Sequence, residues 1–468
     1  MSINTRVWTN AANTESGKFV EIVNDSNFPP TSATTDPAFG TPTTIEYPKY
    51  AVLTYDVSTS QVNGSPFGDN ASTDAFGRLR ISQPKTLLDS KLINDKQPQT
   101  YDEVISGSAT STHVTGDSMI NMATTGNGAF VIRQTTTHFN YQPGKSIVGN
   151  FSGVFNPETN IIKRVGLFQG ESASPHNPTD GVFLEASNSQ VSFRVLKTVG
   201  TSVNLSAAQT SWNIDRLDGS GPSGLTIDFT KAQIIYIDYE WLGVGRVRCG
   251  FVLEGKIYYT HEFTNLNGIA APYMTGSNQP VRYEIRQIGT GSGSLKQICA
   301  TVLSEGGEDN VGTSMTASLS TGISVDAVAF RPLIAIRLNP INHDSTPVLK
   351  VIDILNGGNT SIIYKIVRDP IISGGSLSYK NFESYSSMQY AEGSATLVVS
   401  GGYDIHTAYA SQGNSANASG TSLSDMIGEL STLGTKINGT PTTIVIAAKA
   451  TTGTANPVFA SVNLNMRG

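Results

Sequence analysis

The sequence predicts an all-β protein, and three observations carry that prediction. Charged residues make up 15% of the chain, against roughly 25% in an ordinary globular domain, so the Lys, Glu and Arg that favour exposed helix faces are scarce. Glycine accounts for 46 of 468 residues, with abundant Ser, Thr, Asn and Tyr, which suit tight turns and strands. Short apolar–polar alternations bounded by turn residues recur along the chain. A hydrophobic content of 38% and a net charge of 31 − 37 = −6 allow several β cores to be buried and argue against disorder for most of the length.

Composition also excludes function classes. The acidic balance presents no basic field to nucleic acid or an anionic membrane. No apolar run reaches the ~18 residues of a membrane span. The opening MSINTRVWTNAANTESGKF lacks the apolar core of a signal peptide. Cys249 and Cys299 are the only cysteines, which excludes a disulfide scaffold and a cysteine-based zinc site. The expectation is a protein made in a cytoplasm that stays there or leaves inside an assembly.

Taken in order, residues 1–100 read as an extended region. The first 70 are rich in Asn, Ser, Thr and Pro, interrupted by one strand-like run, Lys49–Val57. A denser piece, DAFGRLRISQPKTLLDSKLI, follows at Asp74–Ile93. There Phe76, Leu79 and Ile81 can anchor, while Arg78 and Arg80 offer forked donors to carboxylates. Two readings stand side by side: docking onto a neighbouring subunit, or a strand that closes the first sandwich.

Residues 101–305 read as a β-sandwich of lectin-like or jelly-roll type. Strands are expected at Ala129–Thr136, Ser146–Val154, Ile161–Phe168, Gly181–Ala186, Gln190–Lys197, Ile234–Trp241, Arg246–Leu253, Lys256–Phe263 and Val281–Ile288. The best-defined unit is a hairpin in which Val247, Cys249, Phe251 and Leu253 share one face. Beyond a Glu254-Gly255 turn, Ile257, Tyr259, His261 and Phe263 alternate in the same way.

Residues 306–468 read as a smaller sandwich after a small, polar linker at about 305–325. Its strands are expected at Ala327–Asn339, Val348–Asn356, Thr360–Val367, Ala395–Ile405, Thr442–Ala450 and Val458–Met466. One short helix interrupts them. Ser422 and Asp425 have capping-box spacing, Leu423, Met426, Ile427 and Leu430 form a stripe, and Gly434 is a natural stop.

Chemistry-bearing motifs are sparse. The six histidines, His113, His138, His176, His261, His343 and His406, show no metal-ligand spacing. Asp238 and Glu240 share a strand face, which would suit a glycosidase pair, but a solvated outer face is the expected reading. GTGSGS at Gly289–Ser294 lacks the Gly-Lys-Ser/Thr of a phosphate loop and reads as a turn. EGGEDN at Glu305–Asn310 has oxygen ligands for calcium but no EF-hand pattern. No motif calls for a cofactor. Trp212, Trp241 and Tyr258, with Tyr236, Tyr385 and Tyr390, are the aromatics that could stack on a sugar.

DAFGRLRI at Asp74–Ile81, followed by TLLDSKLI, resembles a recurrent element of structural proteins of tailed bacteriophages and some large DNA viruses. In those proteins an AFGRLR-type run leads into a TLFDS-like run; Leu88 stands here in place of the Phe. The resemblance continues through IDYEWLGVGRVRCGFVLEGKIYYTHEF, RPLIAIRLNP and TIVIAAKATTGTANPVFASVNLNMRG, touching residues 74–468. It implies a non-enzymatic virion component on the capsid exterior or in the tail. Its implied partners are other virion proteins and further copies of itself, as a trimer or other cyclic oligomer. A receptor- or carbohydrate-binding appendage that meets host surface glycans is the alternative, and the resemblance supplies no catalytic residues.

Overall fold

The computed structural model describes residues 2–9, 16–23, 74, 83–265, 267–309, 311–342, 344–411, 415–417, 433–453 and 456–466. Phe76, Arg78, Leu79, Arg80 and Ile81, the helix expected at Ser422–Leu430, and His343 lie outside them. The chain divides into two units, residues 1–66 and 67–468. In the first, β1 (Ser2–Thr9) and β2 (Ser16–Val23) pair antiparallel.

In the second unit, the chain from Lys85 to Glu305 builds a sandwich. Its strands are β3 (Lys85–Lys91), β4 (Tyr101–Ser106), β5 (Ala109–Val114), β6 (Met119–Thr124), β7 (Phe130–Thr135), β8 (Ser146–Val154), β9 (Ile161–Gly170), β10 (Pro178–Ser187), β11 (Gln190–Lys197), β12 (Val203–Ala208), β13 (Gln233–Tyr239), β14 (Val247–Leu253), β15 (Lys256–Phe263), β16 (Val281–Gln287) and β17 (Gly293–Glu305). A seven-stranded sheet has the order β12-β11-β10-β9-β16-β7-β4. The eight-stranded sheet runs β15-β14-β13-β8-β17-β6-β5, with β3 also paired to β17. All of these pairs are antiparallel.

Alternation along each strand fills the space between the sheets. Val165 and Leu167, Val182 and Leu184, Phe193 and Val195, and Tyr283 and Ile285 come from one sheet, and Phe151, Ile237, Val247 and Phe251 from the other, into one buried core. At ~25 cal/mol per Å² of apolar surface, such burial is the main stabilising contribution.

The Glu254-Gly255 turn forms as expected. Leu253 pairs with Lys256, and both turn residues have positive φ, 51° and 75°, the backbone of a type I′ hairpin. The expected alternation beyond it does not hold. A bulge between Cys249 and Gly250 sets His261 opposite Cys249 and Tyr259 opposite Gly250. Thr260 is the extra residue, so Ile257 and Tyr259 turn to the outer face while Phe263 stays in the core.

Most strands from Thr313 to Met466 form the second sandwich, a five-stranded sheet against a six-stranded one, and Ile371–Ser373 and Val398–Ser400 form a separate two-stranded pair. Ile336, Ile352, Ile366, Ile446 and Val462 contribute to its core. The run expected as one strand at Ala395–Ile405 divides into Val398–Ser400 and Tyr403–Ala410. The break falls at Gly401 and Gly402, whose φ values of 58° and 77° are left-handed. The expected linker holds strands at Thr313–Ser318 and Ile323–Val325, and the expected GTGSGS turn ends inside β17. The described residues contain no α-helix, only single 3₁₀ turns at Thr115–Asp117 and Gln209–Ser211.

The two sandwiches meet through directional polar contacts. Arg368 donates to the Gln99 carbonyl at 2.9 Å and to Thr136 Oγ1 at 2.7 Å. The Thr435 N–H donates to the Thr136 carbonyl at 2.7 Å, and the Ile437 N–H to Asp102 Oδ2 at 2.8 Å. Gly434 lies so close that a Cβ there would fall 1.9 Å from the Thr136 carbonyl oxygen.

Candidate functional site

The seven-stranded sheet has a second face, turned away from the core, and strand registers fix what stands on it. One row reads Ser106, Phe130, Arg286, Ile162, Ser187, from β4 across to β10. The next reads Val104, Ile132, Glu284, Arg164, Glu185, Ser192. A third reads Asp102, Gln134, Arg282, Gly166, Phe183, Arg194, Ser206. Arg282, Glu284 and Arg286 share the face because side chains two apart on a strand point the same way.

These charges are joined into a ladder. Arg282 Nε donates to Glu284 at 2.9 Å and its Nη1 to Gln134 Oε1 at 3.0 Å. Arg164 Nη1 reaches Glu284 at 2.5 Å and Nε reaches Glu185 at 2.6 Å. Arg194 continues from Glu185 at 2.9 Å to Asn204 at 2.7 Å. The loop between β9 and β10 folds over the middle, where the His176 carbonyl accepts from Arg164 and the Pro175 carbonyl from Arg282. Burial works against the Arg164 charge, yet Glu284 and Glu185 hold the guanidinium above its ordinary range. Each carboxylate is engaged by arginine, so neither is poised to exchange a proton with a substrate.

One cation stands apart. The Arg286 guanidinium makes no hydrogen bond, ion pair or ring contact with any described residue, and its Nε is buried without a partner. Its cross-strand neighbours are Phe130 and Ile162, both half-buried. The Phe130 ring lies 5.1 Å from the His176 imidazole, whose Nδ1 is also buried without a partner among the described residues. Burial, and then the Arg286 charge, hold the His176 pKa below its usual value, so the ring is neutral at pH 7.

No protein-family model matches the chain, and no curated protein matches it. Solved structures match it at low similarity. The endo-β-1,4-glucuronan lyase of the fungus Trichoderma reesei shares 13% identity over 43% of this chain and 93% of its own, with a TM-score of 0.28. The carbohydrate recognition domain of Emp47p shares 11% over 46% and 93%, with a TM-score of 0.29. A legume lectin-like domain from Entamoeba histolytica shares 10% over 46% and 95%, also at 0.29.

The residues singled out in the sequence do not converge on one place. Trp212 is a core residue, 4% exposed, with its indole N–H on the Ala207 carbonyl and its ring against Phe193 and Phe251. This corrects its reading as a stacking surface. Trp241 is half-buried against Tyr141, 6.1 Å between ring centroids. Tyr258 is half-buried opposite Phe251 and packs on the core. Tyr236 is buried, Tyr385 is 93% exposed, and Tyr390 is half-buried in the second sandwich beside Phe382.

The solvated face expected for Asp238 and Glu240 is also corrected, since both are buried. Arg248 grips Asp238 with two bonds, 2.8 and 2.6 Å, because it stands directly opposite on the hairpin. Glu240 accepts from the Tyr141 hydroxyl. His261 accepts the Asn213 N–H at 3.3 Å and packs on Phe263 at 4.4 Å. Among the described residues no cluster of His, Cys, Asp and Glu could hold a metal ion. The outer-face arginines went unread, although R-Y-E-I-R at Arg282–Arg286 is a visible alternation of charge along an expected strand.

Proposed function

We propose that this chain is a non-enzymatic glycan-binding component of a virus particle, its first sandwich meeting surface polysaccharide through the outer face of the seven-stranded sheet. The observation that carries the binding role is the state of that face. Its central charges are locked to one another, while Phe130, His176, Ile162 and Arg286 are half-buried along one row and its flank. A pre-organised face with a few unsatisfied polar groups beside an aromatic ring is what sugar recognition needs, because little side-chain entropy is lost on binding. The absence of catalysis is supported by the engagement of Glu284, Glu185 and Asp238 in ion pairs.

The virion assignment rests on the resemblance that runs from Asp74 through the C-terminus. With it go other capsid or tail proteins as neighbours and self-association as a trimer or other ring. Retention of the full chain on immobilised bacterial or algal surface polysaccharides, with no release of reducing ends, is the expected result. Reducing-end release would overturn the non-enzymatic reading, and no retention on any polysaccharide would overturn the binding role. Antibodies to the chain should label intact purified particles, and light scattering should give a mass above 49.7 kDa.

A further inference from the structure

Building on the glycan-binding reading, we propose that Arg286 and His176, with the Phe130 ring beside them, form a subsite for a carboxylate-bearing sugar, a uronate unit of an acidic polysaccharide. Charge is the first reason. The chain is acidic overall at −6, yet its outer sheet face carries Arg164, Arg194, Arg282 and Arg286 against Glu185, Glu284 and, at one edge, Asp102. Pairing consumes the first three arginines. The surplus therefore resides on Arg286, the one cation of the ladder strands with no partner among the described residues.

Shape and hydrogen bonding are the second reason. A half-buried guanidinium with an unsatisfied Nε is costly to keep without an acceptor, and its planar fork matches a carboxylate in two parallel bonds. A uronate adds an apolar pyranose face to that carboxylate, and the tilted Phe130–His176 pair at 5.1 Å supplies a ring surface for it. Ile162 extends the apolar strip on the other side of Arg286. The His176 Nδ1 is buried, so the neutral imidazole serves the subsite through its ring, which widens the surface beside Phe130. Ser106 and Ser187, at the two ends of the same row, offer further hydroxyls along a strip crossing five strands.

The test titrates the full chain with uronate oligosaccharides and with the same oligosaccharides after reduction of their carboxyl groups, with a sulfated neutral glycan as a third arm. At least ten-fold tighter binding of the uronate form is expected. Arg286→Gln should abolish that preference while leaving binding of the reduced sugar, and Arg286→Lys, a point charge without the fork, should keep only part of it. Because Arg286 has no partner among the described residues, neither variant should melt below the parent. Equal binding of native and reduced sugars would overturn the uronate subsite and leave the glycan reading intact. Binding of neither would overturn both. Tighter binding of the sulfated arm would assign the site to sulfate esters instead, and an unchanged preference in Arg286→Gln would place any uronate site elsewhere.

Discussion

Asp180 offers a prediction in which the sign and size of a pH effect both follow from geometry. It stands on the inner face at the start of β10, where its carboxylate accepts the N–H groups of Thr275 at 2.8 Å and Gly276 at 3.0 Å and the Gln279 amide at 2.7 Å. Burial outweighs these bonds and the nearby Lys197 charge, and its pKa is pushed up from 3.8 to about 6. A folded-state pKa above the unfolded value means that the folded chain binds the proton more tightly. The contribution is therefore full below pH 3.8 and lost as pH rises through 6, and it amounts to about 3 kcal/mol.

The perturbation is Asp180→Asn, compared with the parent by urea denaturation at intervals from pH 8 to pH 4. Other groups titrate in this range. His261, whose pKa burial lowers to about 4, works the opposite way, since its protonation on acidification costs stability. Subtracting the variant from the parent removes such shared terms. The difference should shift toward the parent by about 2 kcal/mol between pH 8 and pH 4, with its steepest part near pH 5, midway between the unfolded and folded pKa values. A flat difference, or one that moves toward the variant on acidification, would refute the claim that desolvation dominates at Asp180.

Three further outcomes follow from other contacts. Arg248→Met strands the Asp238 carboxylate in a fully buried site and should cost about 3–5 kcal/mol in urea denaturation, whereas adding Asp238→Leu should recover most of it. Glu254→Asn, at a turn position with φ of 51°, should stabilise the hairpin by about 0.5–1 kcal/mol, seen as a higher melting temperature, because Asn tolerates the left-handed conformation better than Glu. Gly434→Ala places a methyl against the Thr136 carbonyl and should loosen the junction between the sandwiches, detected as faster amide exchange at Thr435 and Ile437 without loss of either core.

Much of the fold was legible because the strands that build the cores are apolar. Ser146–Val154, Gln190–Lys197, Lys256–Phe263 and Val348–Asn356 have the bounds that alternation and turn residues gave them. Strands built from Thr, Ser, Asn and Ala, such as ATSTHV in β5, VNLSAA in β12 and Thr313–Ser318, went unread because hydroxyl-rich strands and loops look alike in composition. The bulge at Thr260 was invisible for a different reason. Ile257 and Tyr259 remain apolar on either face, and the outer face they join holds Val148, Tyr236 and Leu303. The partner of Asp238 went unread because Arg248 falls opposite it across β13 and β14, whose register depends on the loop between Tyr239 and Val247 and not on the Glu254-Gly255 turn, which sets Arg248 opposite Glu262. The candidate site was legible only in part: charge alternation shows in Arg282–Arg286, but the approach of His176 to Phe130 depends on a loop whose path no local pattern dictates.

The junction between the sandwiches has a consequence for how such a chain can diversify. Two of the groups the first sandwich offers there are main-chain carbonyls, at Gln99 and Thr136, and every residue type supplies a carbonyl. A substitution at Gln99 therefore need not disturb its bond, while Thr136, whose hydroxyl also accepts from Arg368, is held together with the donor Arg368 and the close-packed Gly434. The second sandwich can thus act as a fixed chassis, and the outer-face rows, apart from Asp102 with its bond to the Ile437 N–H, can change without redesigning the mount.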